Sequence, residues 1–392
     1  MDKKEEMLQF DTDEKKPEID LKSQNKKLKY LLILLGAIIV LLLLKLIPFC
    51  KLFGSQKKGS TEILILKESD ISSMISMSDI IEADKEALSI YSDHKSNIPL
   101  RSNLNIPEYK GQCLFMNGYA APAKALGVKI VSVYPENINK KLTSVPATMV
   151  LVDAETGMVN SLMDGTYLTR LRTGAISGLA TDILARKDSK IFALFGTGGQ
   201  AVTQLEAVLT VRKIEEVRVF DIFKDRAEEF AKKMSEKFSK KFNVKIIAAE
   251  SSDAAIDNAD IITTVTTSKK PVFDAKKVKK NVHINGVGSY TPEMIEIPGE
   301  ILVKANKIYV DTKDGAINES GDLITPIKEG LITKEKINGE LGEVINGLLK
   351  GRENDDEMTF FKTTGSAVLD IVAAQKIYEM AKAKGVGRMV DL

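Results

Sequence analysis

The sequence predicts an α/β protein built on a doubly wound parallel sheet, and three features predict it. Over residues 61–392, short β-branched and apolar runs alternate with segments of helical period, the pattern of a parallel sheet covered by helices. Ile191–Phe195 is a continuous apolar run, as expected of a strand buried on both faces. A glycine-rich turn, Gly196-Thr-Gly-Gly-Gln-Ala201, follows it directly and leads into a helical pattern.

Composition sets the outer bounds. The chain has 392 residues, 44% hydrophobic and 28% charged, enough for a sizeable core and a length that suits two domains. Lys and Arg total 56 against 54 Asp and Glu, so the net charge of +2 gives no bulk attraction to nucleic acid. Two cysteines (Cys50, Cys113) and two histidines (His94, His283) argue against a disulfide framework and against a structural metal site.

The elements follow in order. Residues 1–29 hold eight lysines and eight acids and read as a solvated tail. Tyr30–Cys50 carries one charge, Lys45, in 21 residues. That predicts a single membrane-spanning helix over residues 30–50, since about 20 apolar residues cross a bilayer. The run exceeds the apolar core of a secretory signal, and Phe49–Phe53 offers no small-residue cleavage site. A lipid bilayer is therefore an expected partner. Lys22, Lys26, Lys27 and Lys29 flank one side and Lys45, Lys51, Lys57 and Lys58 the other, so the positive-inside rule gives a tie. Residues 55–60 form a short polar linker.

Beyond it, Glu62–Leu66 reads as a strand, and Ser78–Tyr91 as a helix with Ser78 as N-cap. Val128–Val133 and Ala147–Val152 read as strands. Leu168–Ala185 is a helix whose small residues allow close packing. The glycine turn and a helix to Val211 come next, then a strand at Val217–Phe220 and a helix at Ala227–Phe242. Lys245–Ala249, Ile261–Val265, His283–Val287 and Ile308–Val310 read as further strands, and Ser366–Lys384 as the last helix.

The turn fits the G-x-G-x-x-G/A pattern of a Rossmann dinucleotide site. Gly196 permits the tight turn, Gly198 lets the backbone approach a pyrophosphate, and Ala201 lets the helix pack closely on the strand. The helix N-terminus then offers free N–H groups to phosphates. Asp221 ends the next strand, 20 residues past Ala201, where a carboxylate accepts hydrogen bonds from ribose hydroxyls. It would repel a 2′-phosphate, so NAD is expected over NADP, although Lys224 and Arg226 lie close behind. Gly199, Gln200, Thr264, Val287 and Gly288 complete the expected cofactor site.

Several stretches together resemble the ornithine cyclodeaminase/μ-crystallin family. They are Val128-Lys-Ile-Val131, the run Leu162-Met-Asp-Gly-Thr-Tyr-Leu-Thr-Arg-Leu-Arg-Thr-Gly-Ala175, Gly196-Thr-Gly-Gly-Gln200, Asn285-Gly-Val-Gly-Ser-Tyr-Thr-Pro292, Glu319-Ser-Gly-Asp322 and Phe361-Lys-Thr-Thr-Gly365. The resemblance covers about residues 61–392. It implies a Rossmann domain (181–363) and a substrate and dimerisation domain built from residues 61–180 and a returning helix at 364–392. It also implies a homodimer, a nicotinamide cofactor and a small 2-amino or 2-imino acid substrate. By resemblance, Arg101, Lys129 and Arg172 bind the substrate carboxylate, and Thr173 and Gly174 lie near the cofactor phosphates.

The residues support these roles independently. Arg offers a planar fork for a carboxylate. A lysine inside an apolar β run, such as Lys129, needs an anionic partner or a depressed pKa.

One position departs from the family pattern. Where cyclodeaminases and archaeal-type alanine dehydrogenases carry an Asp, this chain has Tyr290. A phenol with a pKa of about 10 is a poor base at neutral pH but can donate a hydrogen bond or a proton. Lys129 and Tyr290 are thus the candidate catalytic residues. Leu114–Met116 provides no acid for a second substrate amine. The expected function is an NAD(H)-dependent oxidoreductase of a small 2-imino or 2-amino acid. Ornithine cyclodeamination to proline and a non-enzymatic NAD-binding protein like μ-crystallin are the alternatives. Nicotinamide chemistry places the catalytic domain of the anchored protein in the cytoplasm.

Overall fold

The computed structural model describes Leu35 and residues 61–392. Two eight-stranded sheets organise residues 61–392. The first holds β1 (Glu62–Leu66), β2 (Ser96–Asn97), β3 (Ser102–Ile106), β4 (Gly111–Ala120), β5 (Ala125–Val133), β6 (Ala147–Val152) and β7 (Val159–Asp164), and a C-terminal strand, Arg388–Asp391, closes one edge. Its β4–β5–β6–β7 run is an antiparallel meander. The second sheet holds β8 (Ile191–Phe195), β9 (Glu216–Phe220), β10 (Lys245–Ala248), β11 (Ile261–Thr264), β12 (His283–Gly286), β13 (Lys307–Val310), β14 (Gly339–Glu340) and β15 (Thr359–Lys362). Its order is β10-β9-β8-β11-β12-β15-β13-β14, and every neighbouring pair is parallel. The order reverses between β8 and β11, the topological switch point at which doubly wound sheets bind ligands.

Two helices connect the sheets. Gly165–Leu184 leaves β7 with Asp164 capping the Tyr167 N–H at 2.8 Å. It is buried on nearly every side, because small residues let its neighbours close in. A Cβ on Gly174 would fall 2.5 Å from the Thr203 carbonyl oxygen of the Ala201–Val211 helix. Ala367–Lys384 follows β15 of the second sheet and packs on β4, β5 and β6 of the first. The cleft at the switch point is thus framed by chain segments from both sheets.

Some elements depart from the sequence expectation. Ser76, not Ser78, caps the Met77–Ser92 helix, accepting from Asp79 N while Asp79 accepts from Ser76 N. That reciprocal pair is a capping box. The helix read at Ala227–Phe242 runs as α-helix over Lys224–Met234, widens into a π turn at Ser235–Ser239 and ends at Phe242.

The membrane-spanning helix expected at residues 30–50 is corrected. Among the described residues no helix is long and apolar enough to cross a membrane. The long ones are interrupted by charge: Gly165–Leu184 carries Arg170, Arg172 and Asp182, and Ala367–Lys384 carries Asp370, Lys376 and Glu379. Residues 30–50 themselves, Leu35 apart, lie outside the described residues. The transmembrane part of the fold assignment, the lipid bilayer as a partner and the membrane-anchored single-pass location are withdrawn together.

Candidate active site

The glycine turn lies at the C-terminal end of β8, beside the switch point. Gly196 has φ +95°, and a Cβ there would sit 2.8 Å from the Val265 carbonyl oxygen, so conformation and space both demand glycine. Gly198 and Gly199 instead face open space, with nothing within 4 Å of where a Cβ would be. Gln200 is the N-cap of the helix that Ala201 begins. Asp221 follows β9. Its Oδ2 accepts from Thr197 N at 3.1 Å and Thr197 Oγ1 at 2.7 Å, and its Oδ1 accepts from Phe223 N at 3.0 Å. These bonds turn the carboxylate toward the glycine turn and leave Oδ1 room for a further donor.

The strand ends opposite are equally fixed. Thr264 ends β11, and its carbonyl accepts from Val287 N at 2.9 Å and Gly288 N at 3.2 Å. A Cβ on Gly288 would collide with the Thr266 backbone. Glu296, fully buried, accepts from Thr266 N at 2.6 Å, Gly288 N at 2.7 Å and Ser289 N at 3.0 Å, tying the two loops together. Burial, with Asp322 adding to it, pushes its carboxyl up to about 7, although Lys362 opposes. Thr173 and Gly174 lie beneath the first turn of the Ala201–Val211 helix, where Gln204 Nε2 donates to the Thr173 carbonyl at 2.7 Å.

Two buried side-chain oxygens here, Gln200 Oε1 and Thr264 Oγ1, have no protein partner. Such atoms, the room over Gly198 and Gly199 and the free N–H groups of a helix start fit a dinucleotide.

Arg101 and Arg172 meet at the Thr363–Gly365 turn, and Lys129 joins Arg172 on the carboxylate of Asp370. Lys129 is 1% exposed because the alternation of β5 turns it inward with Gly127 and Val131, between Met116 and Met149 on the flanking strands. Its Nζ lies 2.7 Å from both carboxylate oxygens of Asp370. Arg172 Nε reaches Asp370 Oδ1 at 2.8 Å. Burial pulls the Lys129 ammonium down to about 7, with Asp370 resisting. Burial would raise the Asp370 carboxyl, but Arg172 and Lys129 outweigh it and hold it below the usual range.

Gly365, φ +78°, lets the guanidinium of Arg172 close in. A Cβ there would meet Arg172 Nη1 at 2.7 Å. Asp311 fixes this turn, accepting from Thr363 Oγ1 at 2.6 Å, Gly365 N at 2.8 Å and Thr364 N at 3.0 Å. Arg101, in the loop before β3, donates through Nη2 to the Thr364 and Gly365 carbonyls at 3.2 Å each and pairs with Glu319. Tyr290 sits in the loop that Glu296 and Ser289 pin. Burial raises its phenol above the ordinary value, so it stays neutral, although Arg101 opposes.

Three acids of this cluster had no role in the sequence reading. Asp370 and Asp84 each interrupt an apolar helix face, which was the available signal. Glu319 lies inside a motif already noted. Asp84 is fully buried with neither oxygen partnered. Burial pushes its carboxyl well above the usual range, against Arg172 and with Asp370. His283 is buried between Thr359 and Asn285, and burial lowers its imidazole to about 3, so it stays uncharged.

A doubly wound sheet with a dinucleotide turn, facing a cleft of cations, defines a nucleotide-dependent enzyme of small carboxylates. Comparison with known proteins narrows this. The chain belongs to the ornithine cyclodeaminase/mu-crystallin family, whose model matches residues 61–385. It is 40% identical over 329 residues to a Delta(1)-pyrroline-2-carboxylate reductase of Bacillus thuringiensis subsp. konkukian, covering 84% of this chain and 100% of the relative. The structure of the Thermococcus litoralis Delta(1)-pyrroline-2-carboxylate reductase, in complex with NADH and L-proline, is 43% identical. It has a TM-score of 0.80 and covers 84% of this chain and 100% of that one. An archaeal alanine dehydrogenase dimer with bound NAD is 36% identical, with a TM-score of 0.77 and coverage of 84% and 99%.

Proposed function

We propose that this chain reduces a small cyclic 2-imino acid of the Δ1-pyrroline-2-carboxylate kind to the corresponding amino acid. The chain is an NAD(H)-dependent oxidoreductase acting on small imino and amino acids. The bound nicotinamide supplies the hydride. The observation that carries the substrate reading is that Arg101 and Arg172 meet at one turn, with Lys129 beside Arg172 on Asp370. Arg presents a planar fork to a carboxylate and Lys a point charge.

Ile98, Leu100, Met116 and Ala367 line the same cleft as Arg101 and suit the methylenes of a small ring. Tyr290, a neutral phenol, can donate a hydrogen bond to the substrate nitrogen. A neutral phenol where cyclodeaminases carry an Asp is a poor base for an ammonium, which disfavours ornithine cyclodeamination. Gly196, Gly198, Gly199, Gln200, Ala201, Asp221, Thr264, Val287 and Gly288 hold the cofactor in this reading, and Thr173 and Gly174 support the helix beneath it. The carboxylate of Asp221 favours NAD over NADP, because it would repel a 2′-phosphate.

A homodimer fits the exposed apolar side chains of the first sheet. Leu104, Tyr119 and Ile130 on its strands, and Tyr109, Ile138 and Leu142 between them, are exposed. Patches of that kind mark interaction surfaces, and light scattering would give the assembly state. Turnover is tested by following NADH with Δ1-pyrroline-2-carboxylate and identifying the product. Substrate-dependent oxidation that yields proline supports the reading, and no oxidation above background overturns it.

A further inference from the structure

The three acids of the cation cluster are not equivalent. Asp370 has no exposure and is committed to both Lys129 and Arg172. Asp84 is enclosed on every side. Glu319 alone reaches the cleft. Its side chain is 23% exposed, it ends the Lys313–Glu319 helix, and it accepts from the same Arg101 Nη2 that donates to the Thr364 and Gly365 carbonyls. Those two carbonyls remain as acceptors for the guanidinium when Glu319 leaves it.

A 2-imino acid carries its nitrogen and its carboxylate on adjacent atoms. A substrate whose carboxylate takes over Arg101 therefore brings its nitrogen within reach of the carboxyl that Arg101 releases. We propose that Glu319 is the acid that protonates the substrate nitrogen, freed from Arg101 by the incoming carboxylate. This rests on the imino-acid reductase reading above.

The step balances. The Glu319 O–H bond breaks as an N–H bond forms on the imine, and the C=N π pair goes to nitrogen. A hydride from the bound cofactor forms the new C–H bond at the imine carbon. The substrate is reduced, the cofactor is oxidised, and Glu319 is left as a carboxylate that water reprotonates from the open side of the cleft. In the reverse direction the same carboxylate takes the amine proton.

The surroundings favour the role. Arg101 and Asp311 act on Glu319, and Asp314 of the same helix also lines the cleft. Burial already lifts its carboxyl above the usual range, Arg101 opposes and Asp311 adds. Losing Arg101 to the substrate would remove the opposing influence and favour the acid form. Tyr290 cannot replace it as the source of the proton. Burial makes its phenol a weaker acid still, which leaves it a hydrogen-bond donor.

Glu319→Gln tests this, because it keeps the shape and the hydrogen bonding but carries no acidic proton. The measurements are NADH oxidation with Δ1-pyrroline-2-carboxylate across pH, and calorimetric L-proline binding to the protein with NAD bound. For E319Q the proposal expects a fall in kcat of about 100-fold or more, with KM unchanged or lower. The residual rate should climb as pH falls and more substrate arrives already protonated. L-Proline binding should be retained, and Glu319→Asp should recover part of kcat.

Wild-type turnover with E319Q at wild-type kcat would overturn the proposal alone. So would a loss of L-proline binding together with kcat at an unchanged pH profile, since that is a structural role. Absence of wild-type turnover would overturn the reductase reading and this proposal with it.

Discussion

From Phe195 to Asp221 most of the groups assigned to the cofactor come from one strand, turn, helix and strand, with Thr264, Val287 and Gly288 added from the two strand ends opposite. Around Gly365 the charged groups come from segments far apart. Lys129 and Asp370 are 241 residues apart, and Arg101 and Glu319 are 218 apart. The first region works by leaving backbone exposed: open space over Gly198 and Gly199 at a helix start. The second works by burying charge against charge. A local site is robust, because each part is held by its chain neighbours. A dispersed site depends on the whole fold and in turn ties that fold together.

The sharpest way to break this contrast is to remove one acid from the dispersed site. Asp370→Asn leaves Lys129 and Arg172 without their shared counter-charge in a dry interior. A loss of about 3–5 kcal/mol is expected, because the partner cations remain buried and unpaired. Thermal or denaturant unfolding would read it, and a variant as stable as wild type would show that the pairs are incidental.

The local site should respond in function more than in stability. Asp221→Ala removes the acceptor beside the glycine turn. NADH should bind more weakly by about 1.5–3 kcal/mol, the worth of a hydrogen bond to a charged group. Discrimination against NADPH should also shrink. Titration with both cofactors, alongside an unchanged unfolding midpoint, would separate the two regions.

A smaller effect is expected at the boundary between them. Tyr290→Phe deletes one hydroxyl from a pinned loop, so kcat/KM for the imino acid should fall by about 1 kcal/mol of transition-state stabilisation. NADH affinity should stay unchanged.

A further effect concerns Asp84, and its sign is fixed by linkage. The folded state raises this pKa, so the stability Asp84 contributes is complete below the unfolded value of about 3.9 and is lost as pH rises through the folded value. Asp84→Asn keeps the neutral shape and removes that loss. The variant should gain on wild type in unfolding experiments as pH is raised from about 5 to about 8. A variant that loses ground over that range would mean Asp84 is ionised and paired in the folded protein.

The same contrast explains what could be read from sequence. The strand, glycine turn, helix and strand from Ile191 to Phe220 and the acid after β9 are local patterns, and they stood in the chain as they stand in the fold. Lys129 betrayed itself as a charge in an apolar strand, yet its partner did not. Asp370 sits in Ala-Val-Leu-Asp-Ile-Val, and nothing local says which distant cation it meets. Glu319 lay inside a noted motif, but its pairing with Arg101 arises only when the loop before β3 folds over the Thr363–Gly365 turn.

β4 was missed because Gly111, Gln112, Asn117 and Gly118 break its apolar run, and its place is set by pairing with β5. The anchor failed in another way. Apolar length alone marked residues 30–50, and no described helix meets the requirements of a membrane span.

The central claim is that these two regions together carry a hydride and a proton to one small imino acid. The most direct test is to mix purified protein, NADH and Δ1-pyrroline-2-carboxylate and to measure NADH consumed against proline formed. The account predicts one proline for each NADH oxidised, and no proline when ornithine and NAD are supplied instead. Proline from ornithine without net change in NAD, or cofactor binding with no turnover of the imino acid, would contradict it.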